Sequence, residues 1–366
     1  MSVPICPVVA LLGAGASIDA GLLSSIELTN ALIDAVEKEN DLTQRRALGM
    51  ILGGIALQRG VDGELRQLPD RPDIETVLRV AHQLEMRATH PLAGYVSVWL
   101  GALEQLAPAS DGTVFRRLNQ RALEVIKDKL RTPDGTRVKY LSGLSRLGRP
   151  WADSGGAAPY PQIFTLNYDL CLETALEYQD FPYTTGFDRG LWTTSSFQSA
   201  DHVRVYKLHG SFGWIRDPQT QLLYDRDSAL ERKDVIFLSD DTPDEIVFAT
   251  ENKMRALQPY LWMIHQFSEA IAVSKYVLVV GYSFGDEYVN QIVGQAMALD
   301  PSKRLLVVSP HFDPAQIERA KGMTMTYYKE RVIPITQTAK EALHEHDTVL
   351  KEIQRLEAET RTEAPF

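Results

Sequence analysis

The 366-residue chain has only two cysteines, Cys6 and Cys171, far apart in sequence. Two sulfurs can build neither a disulfide framework nor a multi-cysteine zinc ribbon, so no metal site of that kind is expected. No apolar run approaches the ~20 residues that span a bilayer, and no membrane partner is expected. The opening stretch MSVPICPVVALLGAGAS has no basic segment before its apolar run and no small-residue cleavage site, so it does not read as a secretion signal. Bases are outnumbered: 38 Lys and Arg against 48 Asp and Glu give a formal charge of −10, which argues against direct nucleic-acid binding. Internal repeats are absent. What remains is an ordinary globular composition, 44% hydrophobic and 23% charged, expected in the cytoplasm, where thiols stay reduced.

Short apolar runs recur, each ending in a polar or glycine-containing loop. They are Pro7 to Leu12, Gln162 to Leu166, Val203 to Leu208, Tyr276 to Gly281 and Leu305 to Ser309. Runs of this length bounded by turn residues suit buried parallel strands. The rhythm predicts an α/β fold with a Rossmann-like, doubly wound parallel sheet, in which ligands bind at the carboxyl ends of the strands.

Between the first run and the second the period changes. The stretches 27–39, 43–59, 73–87, 91–106 and 114–131 carry apolar residues at helical spacing, punctuated by Gly60, Pro69, Pro72, Pro91, Pro108 and Pro133. A large helical insertion after the first strand is therefore expected, as a packing or oligomerisation layer or as a substrate lid. The domains predicted are 1–24 with 150–336 for the sheet, 25–149 for the insertion and 337–366 for a C-terminal helix and tail. That last helix is predicted over 338–359, with Leu343, Val349, Ile353 and Leu356 as its packing face. The stretch 217–245, rich in Asp and Arg, reads as a solvated excursion.

Four loops at strand ends carry candidate chemistry. Gly13-Ala14-Gly15-Ala16-Ser17 follows the first strand, where backbone N–H groups and a helix N-terminus favour a phosphate, and Ser17 adds a hydroxyl. A dehydrogenase would need a second strand ending in an acid about 20 residues later, but Asp34 and Glu37 lie inside a helical pattern. In TLNYD, Asn167 can orient a ribose or a water, and Asp169 can do the same or cap the next helix. In KLHGS, His209 is the histidine best placed for acid–base work, or else a structural residue. In GYSFGD, Gly281 and Gly285 bracket Ser283, while Asp286 suits a helix cap. Gly281 to Gly285 also matches the G-x-S-x-G elbow of α/β-hydrolases, a reading that leaves the three earlier loops unexplained.

Taken in order, GAGAS, TLNYD, KLHGS and GYSFGD make the chain resemble the sirtuin family, and more narrowly the NAD-consuming sirtuin-like effectors of bacterial antiphage defence. The resemblance spans roughly residues 5–24 and 160–310. It implies NAD as substrate, with Gly13, Ala14, Gly15 and Ser17 at the diphosphate and Asp169 by the nicotinamide ribose. It implies Gly281 and Ser283 at the adenosine half, and Asn167 and His209 as the catalytic pair. Deacylating sirtuins carry a four-cysteine zinc ribbon and a Gly-Ile-Pro-x-Phe-Arg stretch. This chain has two cysteines, and Gly21-Leu22-Leu23-Ser24-Ser25-Ile26 stands in place of that stretch. The reading implied is therefore an NAD+ hydrolase that depletes NAD in defence, without zinc. Its alternatives are a protein deacylase or ADP-ribosyltransferase, and a non-catalytic NAD or ADP-ribose sensor. The resemblance also implies a homo-oligomer, with an operon-encoded ATPase or DNA translocase, or another defence sensor, as partner.

Overall fold

The computed structural model describes residues 6–39, 41–63, 71–86, 105–106, 112–131, 133–152, 158–199, 201–230, 244–246, 259–313, 317, 320, 323 and 329–363. The chain forms two compact units, Met1–Gly21 with Thr132–Phe366, and Leu22–Arg131.

Among the described residues of the second unit, the regular elements are all helices. Helices α1 (Ser25–Lys38), α2 (Leu42–Val61) and α3 (Ile74–Glu85) each begin at a side-chain cap. Ser24 and Glu27 form a reciprocal capping box, and Asp41 and Asp73 accept from the first-turn amides of α2 and α3. Helix α4 (Thr113–Lys129) packs against all three. Its buried stripe of Phe115, Leu118, Ala122, Val125 and Ile126 has the 3–4 spacing of one helical face. The helix expected over 91–106 lies outside the described residues, except for residues 105–106.

The first unit holds a seven-stranded parallel sheet. Its strands are β1 (Val8–Leu12), β2 (Gln162–Thr165), β3 (Tyr183–Thr184), β6 (Val203–Lys207), β10 (Tyr276–Val280), β11 (Arg304–Val308) and β12 (Val332–Ile335), in the order β12-β11-β10-β1-β2-β6-β3. Every position of β1 and β10 is buried, as strands covered on both faces require. The order reverses beside β1: the chain runs from β1 through β2 to β6 on one side and from β10 through β11 to β12 on the other. A crevice is expected there, outside the carboxyl ends. The strands also end level, Leu12 beside Val280 and Thr165, and Thr165 beside Lys207. The Rossmann-like sheet expected from the sequence is therefore present.

A second sheet was not expected. It is antiparallel, in the order β4-β5-β8-β7-β9, from Phe187–Asp188 (β4), Leu191–Trp192 (β5), Gly210–Arg216 (β7), Leu223–Asp225 (β8) and Asp244–Ile246 (β9). Part of the predicted excursion, Leu223–Asp225, is thus a strand, and residues 231–243 of it lie outside the description. Four of its strands have two or three residues, too short to show a period, and the longer β7 changes register between Gly210 and Ile215, which is why the sequence pattern hides them.

Helices α5 (Cys171–Tyr178), α6 (Tyr260–Val273) and α7 (Glu287–Leu299) belong to the same unit. Phe164 of β2 stacks on Tyr206 of β6 at 4.4 Å, and Tyr206 on Phe197 at 4.6 Å. Residues 133–149, which fall within the expected bounds of the insertion, group with this unit, and the Tyr140 hydroxyl donates to Ala16 O at 2.6 Å. The predicted C-terminal helix is broken: a wide turn over Glu341–Glu345 is followed by Asp347 at φ +49°, and α8 runs over Thr348–Glu363. Leu343, Val349, Ile353 and Leu356 are nevertheless all buried within the chain. Glu357 accepts from Lys275 Nζ at 2.6 Å and from Tyr276 OH at 2.7 Å. Among the described residues no helix is long and apolar enough to cross a membrane.

Candidate functional site

The loops after β1, β2, β6 and β10 meet at the carboxyl edge of the parallel sheet. Two corners of this edge are built differently. At the β1–β10 corner backbone packs on backbone. A Cβ on Gly13 would lie 2.7 Å from Gly281 O, one on Gly15 2.7 Å from Gly281 Cα, and one on Gly281 2.2 Å from Ala16 N. Gly281 also has φ +61°, where side chains are strained. The glycine pattern is therefore required by steric contact between the two loops. Their donors are used the same way: Gly13 N–H bonds Val280 O at 3.0 Å, Gly15 N–H bonds Gly281 O at 2.8 Å, and Ala16 N–H bonds Gly13 O at 2.9 Å. Ala14 is exposed and Gly15 half-buried, so this short stretch is the part of the loop open to a ligand. The element that follows is a seven-residue 3-10 helix, Ala14–Ala20, and Gly21 ends it at φ +92°.

The β2–β6 corner is built from side chains. Asn167 Nδ2 donates to Gly13 O at 3.0 Å and to Ser17 Oγ at 3.2 Å, and Ser17 Oγ donates to Asp169 Oδ2 at 3.0 Å. Asp169 Oδ1 accepts from Cys171 N–H at 3.0 Å, at the start of α5. Asp169 therefore orders the helix start, as expected of a capping residue, and with its other oxygen engages Ser17. Both amide protons of Asn167 are committed, so the atom its side chain can offer a ligand is Oδ1, an acceptor. Ser17 is buried and engaged on both sides, serving to join the β1 and β2 loops. Beneath them Lys207, fully buried, donates from Nζ to Asp169 O at 2.6 Å and to Glu173 Oε1 at 2.7 Å. Burial, and then the neighbouring Asp169 carboxylate, push the Cys171 thiol up, which keeps it protonated and unsuited to nucleophilic attack.

His209 directly follows Leu208, and Gly210 at φ +84° turns the chain at once into β7. Phe212 N–H donates to Tyr168 O at 3.0 Å, tying β7 to the β2 loop. The His209 ring is 2% exposed, lies 6.2 Å from that of Tyr168 and bonds through Nε2 to Asp286 Oδ2 at 3.1 Å. Asp286 caps α7 as expected, accepting through Oδ1 from Tyr288 N–H at 3.0 Å and Val289 N–H at 3.3 Å. Ser283 is exposed, and the left-handed residues of its loop are Gly281 and Phe284, whereas a nucleophile elbow strains the serine itself.

Two partnerships escaped the sequence reading, Lys207 with Glu173 and His209 with Asp286. A signal for the first exists: Lys207 interrupts the apolar run VRVYKL, and Glu173 falls on the buried face of CLETALEY, so each is a charge in a buried position that needs a partner. No comparable signal marks the second, because residue 286 has the full appearance of a helix cap.

Residues 161–333 match the family described as SIR2-like domain. The match covers Asn167, Asp169, His209, Gly281 and Ser283 and leaves the Gly13–Ser17 loop outside. A comparison with curated proteins finds no match. Among solved structures, the chain resembles a Sir2 homolog in complex with NAD, at 13% identity over 94% of this chain and 90% of the other, with a TM-score of 0.44. It also resembles Sir2 bound to a p53 peptide and NAD+, at 13% identity over 95% and 93% of the two chains, with a TM-score of 0.42. A complex of a mutant Sir2 homologue with 2'-O-acetyl ADP-ribose gives 15% identity, 95% and 92% coverage and a TM-score of 0.43. At these values the likeness adds nothing to what the strand order already gives. The part of the chain from the start of β2 to the start of β12 is thus similar to the SIR2-like domain family.

Proposed function

We propose that the chain is an NAD+ hydrolase, splitting NAD+ and water into ADP-ribose and nicotinamide, and that it serves as an NAD-depleting effector in bacterial antiphage defence. The observation that supports this reading is the hydrogen-bonded cluster of Asn167, Ser17 and Asp169 after β2, with His209 after the level end of the neighbouring strand β6, beside the switch point of a parallel sheet. Three of the four lie within the SIR2-like match.

In this reading the diphosphate lies at the Gly13–Ser17 loop, and the adenosine half lies toward Gly281 and Ser283. Asp169, through Ser17, fixes the loop beside the nicotinamide ribose. Asn167 Oδ1 accepts from a ribose hydroxyl or from the incoming water. His209 takes a proton from that water as its oxygen bonds the anomeric carbon. The electrons of the broken glycosidic bond leave with neutral nicotinamide. Water is the acceptor because the stretch from Gly21 to Ile26 lacks the aromatic and cationic residues of the deacylase pattern, and two cysteines cannot build the zinc ribbon. Self-assembly through the helical unit and control by an operon-encoded ATPase or DNA translocase belong to the same proposal.

The test is chromatographic detection of nicotinamide after incubating the purified protein with NAD+ alone. Release without any acylated peptide is expected, with a fall of about 100-fold or more in Asn167→Ala and His209→Ala. Release only when an acylated peptide is present identifies a deacylase, and ADP-ribose attached to protein a transferase. Binding with no turnover identifies a sensor. Full activity in both variants would overturn the residue assignment.

A further inference from the structure

We propose that Asp286 is the positioning residue for His209, holding its imidazole as the Nε2–H tautomer so that Nδ1 is the basic atom. The inference deepens the hydrolase reading and rests on it for the role of His209.

A carboxylate offers only acceptors, so the 3.1 Å contact between Nε2 and Oδ2 requires the hydrogen to sit on Nε2. The neutral ring then carries its lone pair on Nδ1. A helix cap needs one carboxylate oxygen, and Oδ1 supplies it to Tyr288 and Val289. The second oxygen is directed to a ring 77 residues away in sequence, across the ends of β1 and β2.

The carboxylate is itself held rigidly. The Asp286 N–H donates to the Tyr282 hydroxyl at 3.0 Å, and that hydroxyl lies 2.9 Å from Asn290 Oδ1. Asn290 Nδ2 donates to Phe284 O at 2.8 Å, within a loop where Gly281 and Phe284 both have left-handed φ. Asp286 is 8% exposed and His209 2%, so the imidazolium formed on proton transfer faces its counter-charge with little solvent between them. An orienting acid of this kind selects the tautomer and stabilises the protonated ring without taking the proton itself.

Asp286→Asn tests this with the fold preserved, because asparagine caps helices as well as aspartate does. The expected loss in kcat for NAD+ hydrolysis is about 100-fold or more, with KM within about threefold. In a His209→Ala background the same substitution is expected to change kcat less than about twofold, since residues acting through one another are not additive. A readout free of activity is the two-dimensional NMR spectrum of ¹⁵N-histidine-labelled wild type, with His209 assigned by its absence in His209→Gln. The Nε2–H pattern is expected. An Nδ1–H pattern, full rate in Asp286→Asn, or an equal loss in the His209→Ala background would each overturn the proposal. Without nicotinamide release the hydrolase reading fails, while the tautomer still decides whether Asp286 orients His209.

Discussion

The two corners of the strand-end site reach the same closeness by opposite means. At the β1–β10 corner, three glycines let loop backbones interlock, and the Gly13 and Gly15 amides donate to the carbonyls of Val280 and Gly281. At the β2–β6 corner, side chains from β1, β2, β6 and α5 form one buried polar chain from Gly13 O to Glu173. The first arrangement locks two loops together at the carboxyl end of the sheet and offers little side-chain chemistry. The second places an amide oxygen and an imidazole at its edge. A glycine loop is thus a statement about close approach, and the partner approached here includes the neighbouring loop.

Substitutions can break the two corners separately. Gly281→Ala is expected to have the largest effect, because its Cβ would meet Ala16 N at 2.2 Å and Gly15 C at 2.3 Å from a left-handed residue. A loss of about 3 kcal/mol or more is expected in urea unfolding of the purified protein. If the midpoint stays unchanged, the interlock is not what the glycine provides. At the other corner, Lys207→Met leaves Glu173 buried without its cation and is expected to cost about 3 kcal/mol, most of it regained in Lys207→Met with Glu173→Leu. Equal instability in the single and double variants would mean that the lysine acts by packing alone. The smallest effect is expected for Ser17→Ala, about 1–2 kcal/mol from the buried oxygen of Asp169 left without its donor. Nicotinamide release should fall further than stability does, because Asn167 loses a partner too; a full rate would separate Ser17 from the reaction.

Much of this was legible in the sequence. The central strands are apolar at every position because both faces are covered, so VVALL and YVLVV announce themselves. The helical block was visible for the same reason, through the stripes that α3 and α4 bury. What stayed hidden depends on distance or brevity. Strands β4, β5, β8 and β9 have only two or three residues and β7 changes register along its length, so the antiparallel sheet left no sustained pattern. The block ends before its expected bound at residue 149, because residues 133–149 are largely helical themselves while packing in the sheet unit. His209 was marked by its position after a strand, but its partner looked sufficient as a cap, and nothing local announces a carboxylate's second oxygen.

Strand β1 has a further consequence for how the chain is made. Its two neighbours, β2 and β10, begin at residues 162 and 276. During synthesis VVALL must wait through more than a hundred residues for the first partner and far longer for the second, with both edges open. A long delay of this kind is the setting in which an apolar strand finds the wrong partner. Helices α1 to α4, whose contacts are local, can form while it waits. The last side of the site closes only when β10 docks, so a nascent chain cannot assemble the complete site until synthesis has passed Val280.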